Sequence, residues 1–534
     1  MPSILDRKDA LLRRWAHRAA NRRLQTMALR VREHAPAGEG VLPVVFFNAS
    51  TRLENTSQNA AFSLLASWSL RLSGTPVVHF VCGAGMTRCV LGTNRDDLAA
   101  EPPCRRCISQ SVRTFNGAKA EWCIYQVDEG LQAALAGLRL AELVTLVYQD
   151  VPLGELVLSS LRWTLRRHHL QDDEPTRFLC RQFLVSAWSI ACKFSALLDK
   201  VKPQAVVVFN GMFFPEATAR HLARQCGIRV ITHEVGFRPL SGFFTTGEAT
   251  ASPIDLPPDF TLTPAQENEL DAYLGQRFQG NFQMAGVRFW PEMKGMPSEF
   301  WEKASNFRQI VPVFTNVVFD TSQTHANVIF PHMFAWLDVV LEVIKAHPET
   351  LFVLRAHPDE TRPGKESRES VAQWVQQNQV DQLANVHYLD ADQYINSYEL
   401  IQASKFSMVY NSTIGLEAAI LGSTVLCGGK SRFTQDAIAV LPDSAATFRQ
   451  KLEELLEAEM LETPPEYRQN ARRFFYYQVF HRALPFDDFL EEDKYWKGYV
   501  RLNKFDWSAL LPEKSETMQV IVNGILHDEP FAMP

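Results

Sequence analysis

No run of about 18 uncharged apolar residues occurs in the 534-residue chain, so no segment reads as a membrane-spanning helix. Arg13, Arg14, Arg18, Arg22 and Arg23 interrupt any apolar core a secretory leader would need. An excess of positive charge is missing too. With 54 basic and 60 acidic residues the net charge is -6, which offers nucleic acid no general polycation. No G-x-G-x-x-G follows a strand and no G-x-x-x-x-G-K-[ST] occurs, which argues against a dinucleotide oxidoreductase and a P-loop NTPase. No repeat or low-complexity tract stands out. The nine cysteines read as thiols or metal ligands of a cytoplasmic protein, at most peripheral on the inner face of the membrane, and not as a disulfide framework.

What is present is an ordinary globular composition, 46% hydrophobic and 21% charged, long enough for more than one core. Residues 1–40 form a basic amphipathic helix and linker, with nine Arg and Lys against three Asp and Glu in the first 35 positions. Such a helix either packs by its apolar stripe or lies on an anionic membrane surface. Strands and helices then alternate over 41–250, pause in a Pro-rich connection over 251–308, and alternate again over 309–444. Residues 445–534 are expected to be helical and to pack back on the two domains through aromatic side chains. The alternation predicts an α/β fold: two doubly wound Rossmann-type domains facing a cleft, the GT-B-like layout, with helical extensions at both ends. Ligands of such sheets bind beyond the carboxyl ends of the strands.

Two motifs fall at those ends. The strand Thr350–Leu354 runs directly into Arg355-Ala-His357-Pro-Asp. Arginine offers a forked donor to phosphate, and histidine can donate to a phosphate oxygen or protonate it as it leaves. The alternative is a structural Arg355–Asp359 pair. The strand Phe406–Tyr410 enters Asn411-Ser412-Thr413-Ile-Gly415-Leu-Glu417 and then a helix. Ser412 is placed to cap that helix, Gly415 to admit a ligand to its first turn, and Glu417 to accept from ribose hydroxyls. The alternative here is plain capping. Asp390-Ala-Asp392 is read as a cap for the helix that follows.

These motifs, with Leu421-Gly-Ser-Thr-Val and Gly428-Gly429, resemble the C-terminal half of bacterial capsule polysaccharide biosynthesis proteins, a group that includes β-Kdo transferases. Bacterial sialyltransferases carry a similar His-Pro and Ser-Ser/Thr pair. The resemblance implies a glycosyltransferase of capsule or surface polysaccharide synthesis. It implies a nucleotide-sugar donor held by Arg355, His357, Asn411, Ser412, Thr413, Gly415 and Glu417, with a CMP-linked sugar such as Kdo or a related acid sugar favoured over UDP- and GDP-sugars, which related folds also use. His357 would activate the donor phosphate, and a glycan or lipid-linked glycan would accept the sugar. A sugar-nucleotide epimerase or hydrolase on the same fold, and a non-catalytic assembly protein, remain alternatives.

No catalytic base transfers with the resemblance. On geometry alone, His233 and Glu234 end the strand Ile228–Thr232 at a carboxyl edge, with Glu234 as base and His233 tuning it; Asp320 is a rival. Asn210-Gly211 and, from the loop after the first strand, Arg52 and Glu54 are expected to line the same cleft. Cys82, Cys89, Cys104 and Cys107 match the ligand count of a structural zinc site, ahead of an iron–sulfur cluster. Cys123 is a substitute ligand and His79 a core residue. The transfer chemistry itself calls for no metal, since Arg355, His357 and helix dipoles can neutralise a leaving phosphate.

Overall fold

The computed structural model describes residues 4–49, 55–280, 283–284, 287–288 and 293–534; Arg52 and Glu54 lie outside the described residues. The basic opening segment forms one helix, Ile4–His34. The first sheet contains β1 (Val44–Asn48), β2 (Val77–Cys82), β3 (Lys119–Cys123), β4 (Ala205–Phe209), β5 (Arg229–Val235) and β6 (Ser241–Thr245). The second contains β7 (Gln309–Phe314), β8 (Thr350–Arg355), β9 (Val386–Leu389), β10 (Ser407–Val409) and β11 (Val425–Cys427). A late strand, β12 (Leu484–Pro485), returns to the first sheet beside β6.

The orders are β12-β6-β5-β4-β1-β2-β3 and β9-β8-β7-β10-β11. Within each, the five strands β1–β5 and β7–β11 are parallel in the doubly wound order 3-2-1-4-5. Continuous apolar runs are needed because both faces of each sheet are covered. In β1, Val45 and Phe47 pack with the long helix Glu174–Val201, while Val44 and Phe46 pack with the helix Gln58–Leu72. In β8, Phe352 and Leu354 face one core and Leu351 and Val353 the other. Gly428, just past β11, lets the chain pass under the fully buried Trp336, whose indole lies 2.5 Å from where a Cβ would stand.

Past β11 the chain crosses between the domains. The helix Ala445–Glu457 completes the second domain. The helix Pro465–Tyr476 packs against the connecting helix Pro264–Phe278, and the last helix, Glu516–His527, returns to Gln58–Leu72. Phe474, Phe475, Tyr476 and Tyr477 are buried core residues of this return. The tail is not helical throughout, as its periodicity predicts. Besides β12 it holds the antiparallel pair Leu490–Glu492 and Tyr499–Leu502. Those segments are too short to show a strand period of their own and are fixed by partners far away in sequence.

Candidate functional site

The two carboxyl edges enclose a cleft of about 670 Å³. Its floor is the switch point of the second sheet, where β7 and β10 lie side by side and their following loops part. There Asn316 Nδ2 donates to Asn411 Oδ1 at 2.6 Å, and Gln323 Nε2 donates to the same oxygen at 3.2 Å. Asn411 thus fixes the loop, and its backbone carbonyl accepts Ser431 Oγ at 2.7 Å.

His357, Ser412 and Thr413 all line this cleft. The Asp359 amide donates to His357 Nδ1 at 3.1 Å. An amide can only donate, so the neutral ring carries its proton on Nε2, where it is left for a ligand. Burial lowers the His357 pKa, against the opposing pull of Asp359 and Asp320, so the ring is a neutral donor at pH 7. The helix Ile414–Ile420 is capped at Thr413, not at Ser412, and no side chain closes the cap. Neither hydroxyl is therefore spent on the helix. Arg355 also lines the cleft, but its Nη1 donates to the Asp390 carbonyl at 2.6 Å, and Asp359 lies instead beside Arg362. Burial brings the Arg355 pKa down to about 10. Asp390 accepts from Tyr388 and from the Ala391 amide, and Asn396 caps the next helix, so Asp390-Ala-Asp392 closes a turn and caps nothing.

Two residues of the second motif are structural. Gly415 is buried, and a Cβ there would stand 2.9 Å from Phe433 and 3.0 Å from Val409; protein, not ligand, needs the space. Glu417 Oε1 meets Arg277 Nη2 at 2.6 Å and Nε at 2.7 Å, and its Oε2 accepts Tyr398 Oη at 2.7 Å. Both ionic side chains are 4% exposed. Burial is the largest single influence on the Arg277 charge and opposes it, yet Glu417, Tyr398 and Tyr273 together outweigh it and raise the pKa. Three of the carboxylate's acceptor positions are thus taken by the fold, although Glu417 lines the cleft.

On the first domain, Asn210 sits at φ +59, a left-handed conformation asparagine tolerates, followed by Gly211 at φ +84. This turn brings Asn210 Nδ2 to Glu234 Oε1 at 2.6 Å and towards Thr321 of the second domain at 3.4 Å. Contrary to what the sequence leads one to expect, neither Asn210 nor Gly211 lines the cleft. Glu234 Oε2 accepts from Asn59 at 3.1 Å. Burial raises the Glu234 pKa, opposed by these donors and reinforced by Asp320. Glu234 stands behind the cleft and is not among its lining residues, whereas Asp320 is exposed and lines it. His233 points to the opposite face of β5. It is 1% exposed, stacks on Phe244 at 5.2 Å, and burial depresses its pKa to about 3. Strand alternation separates the two neighbours, so His233 does not tune Glu234. His79 is likewise in the core.

The sequence reading misses two cations of the cleft, Lys430 and Arg432. Arg432 lies over the Phe237 ring of the first domain at 4.4 Å. The signal was there: Gly428-Gly429-Lys430-Ser431-Arg432 leaves β11 at a carboxyl edge. Away from the cleft, His168, His169 and His332 bring their ring nitrogens within 4.8 Å of one another across the domain boundary. The Ala335 amide donates to His332 Nδ1, so its Nε2–H donates to His169 Nε2 at 3.2 Å, and His169 Nδ1–H donates to Glu369. Glu369 also accepts the His168 and His169 amides. This proton order makes a hydrogen-bonded latch between the domains, in which the ring lone pairs of His169 and His332 are both taken.

Two doubly wound domains with a cleft between their carboxyl edges define a GT-B-like fold. Residues 301–461 match the family model of capsule polysaccharide biosynthesis proteins. No curated protein matches the chain. Among solved structures, it is similar to the Thermosulfurimonas dismutans KpsC β-Kdo 2,4 transferase at 14% identity, covering 52% of this chain and 80% of that one, with a TM-score of 0.34. It is also similar to a Neisseria meningitidis UDP-GlcNAc 2-epimerase at 12% identity, covering 81% and 98%, with a TM-score of 0.25. A third, the S. aureus MnaA–UDP structure, is 11% identical and covers 91% and 96%, with a TM-score of 0.27.

The ion pair beneath the Ser412–Thr413 turn has a measurable consequence. Glu417→Met strands the buried Arg277 charge and is expected to cost about 3–5 kcal/mol in urea unfolding. Adding Arg277→Met should recover most of that loss. A single variant as stable as the parent would show that the pair does not hold the turn.

Proposed function

We propose that the protein is a glycosyltransferase of capsule or surface polysaccharide synthesis, with its nucleotide-sugar donor in the second domain. One observation carries the reading. The His357 Nε2–H and the Ser412 and Thr413 hydroxyls, none spent on the fold, converge with Lys430 and Arg432 on one cleft at a topological switch point. Donors and cations so placed suit the phosphate of a nucleotide sugar, and a CMP-linked acid sugar is the donor we favour. The acceptor hydroxyl attacks the anomeric carbon as the bond to the donor phosphate breaks. Negative charge grows on the departing phosphate oxygen, where the His357 N–H and the two cations stabilise it. We assign the acceptor proton to Asp320, which lines the cleft, and a positioning role to Glu234 behind it.

Calorimetry with CMP, UDP, GDP and their sugar conjugates tests this. Selective binding of a CMP-sugar, weakened at least tenfold in His357→Ala, is expected. Asp320→Asn should keep that affinity and lower turnover about 10²–10⁴-fold. Donor consumption without an acceptor would favour an epimerase or hydrolase, and no nucleotide binding would favour an assembly protein.

We also propose that the first domain meets an anionic bilayer, where a lipid-linked acceptor would lie. Leu11, Leu12 and Trp15 are exposed on the opening helix, Trp15 at 67%. Beside them Arg13, Arg14, Arg105, Arg106 and Arg113 line a groove of about 530 Å³ in whose lining, among the described residues, there is no carboxylate. Basic and apolar side chains together suit an anionic lipid surface. In flotation, the protein is expected to bind phosphatidylglycerol-containing vesicles but not pure phosphatidylcholine. Arg13→Glu with Arg105→Glu should abolish binding. Equal binding to both vesicles, or to neither, would contradict the proposal.

A further inference from the structure

A second cavity, of about 40 Å³, lies at the carboxyl edge of the first sheet, and Cys82, Cys89, Cys104 and Cys107 all line it. The rest of its wall is mainly apolar, with Met86, Val90 and Phe209. Two of the sulfurs sit in turns of the same kind. The Gly85 amide donates to Cys82 Sγ at 3.3 Å and the Gly92 amide to Cys89 Sγ at 3.2 Å. Amide donors three residues on are well matched to metal-bound thiolates, whose negative charge they share. Cys104 and Cys107 stand three apart in the first turn of the helix Cys104–Thr114, which puts both on one face.

The spacing decides which metal. A tetrahedral zinc with bonds of about 2.3 Å holds its sulfurs about 3.8 Å apart. Among the described residues, no three of these four sulfurs lie within 4.8 Å of one another. The thiols surround a space instead of closing on a point. A polynuclear centre, whose irons and bridging sulfides occupy the middle, needs that arrangement. Cys123 is not one of the cavity's lining residues; it sits beside Gly85, with its Sγ 2.5 Å from where a Cβ would stand.

We propose that Cys82, Cys89, Cys104 and Cys107 ligate an iron–sulfur cluster, in place of the zinc their sequence spacing suggests. The centre is structural. The loop between Cys89 and Cys104 carries Arg95, which donates to the Gly364 carbonyl at 2.8 Å, and Asp96, which pairs with Arg368 at 3.0 Å. Both partners follow the His357 turn in the second domain. The cluster would thus hold the first domain's loop against the donor side, whichever donor is bound.

The test is metal and sulfide analysis of the full-length protein purified without oxygen, with visible and Mössbauer spectra. Iron and acid-labile sulfide in equal amounts are expected, with a broad visible absorption that oxygen bleaches. Cys104→Ser with Cys107→Ser should lose both, and Cys192→Ser, at an exposed site outside the cavity, should keep them. One zinc per chain, or a chain that takes up neither iron nor sulfide on reconstitution, would overturn the proposal. Should the double variant fail to fold, the parent's metal content decides alone.

Discussion

A buried guanidinium facing a buried carboxylate, Arg277 against Glu417, ties three distant parts of the chain together. Arg277 belongs to the connecting helix Pro264–Phe278, and Glu417 to the helix whose first turn presents Ser412 and Thr413. The connecting helix is held in turn by the return helix Pro465–Tyr476, through Arg472 to Glu267 and Asp271 and through Tyr476 to Glu269. Two charges out of water are costly unless each satisfies the other, and here Tyr398 completes the carboxylate's hydrogen bonds. The pair has little freedom to move, and the hydroxyls one turn away inherit that rigidity.

The same economy of polar groups shapes the rest of the cleft. Asn411, Arg355 and Glu234 bond to the fold, while His357 Nε2, Ser412, Thr413, Asp320 and Lys430 face the open space. The domains meet through Arg432 over Phe237, the His332–His169–Glu369 chain and Arg368–Asp96. The first of these lies at the cleft and the other two away from it, so closure and ligand contact can be altered separately.

Much of this was legible in the sequence because local periodicity reports local burial. The apolar runs that became β1, β4, β7 and β8 are continuous, which is what two-sided burial demands, and Arg355-Ala-His357 falls where β8 ends. Long-range pairing left no such trace. Nothing near Glu417 announces Arg277, 140 positions earlier. Gly415 carries the same single letter whether a ligand or Phe433 fills the space beside it. His233 and Glu234 adjoin in sequence, yet the two-residue period of a strand sends one into the core and the other towards the cleft. The four cysteines show their number in the sequence but not their separation.

The central claim is that a donor phosphate sits between His357 and the Ser412–Thr413 turn. A crystal structure with a CMP-sugar bound tests it most directly. The phosphate should accept from His357 Nε2 and from at least one of the two hydroxyls, with Arg277 and Glu417 still paired beneath. A nucleotide bound elsewhere, or one whose phosphate contacts neither the histidine nor the turn, would contradict the account.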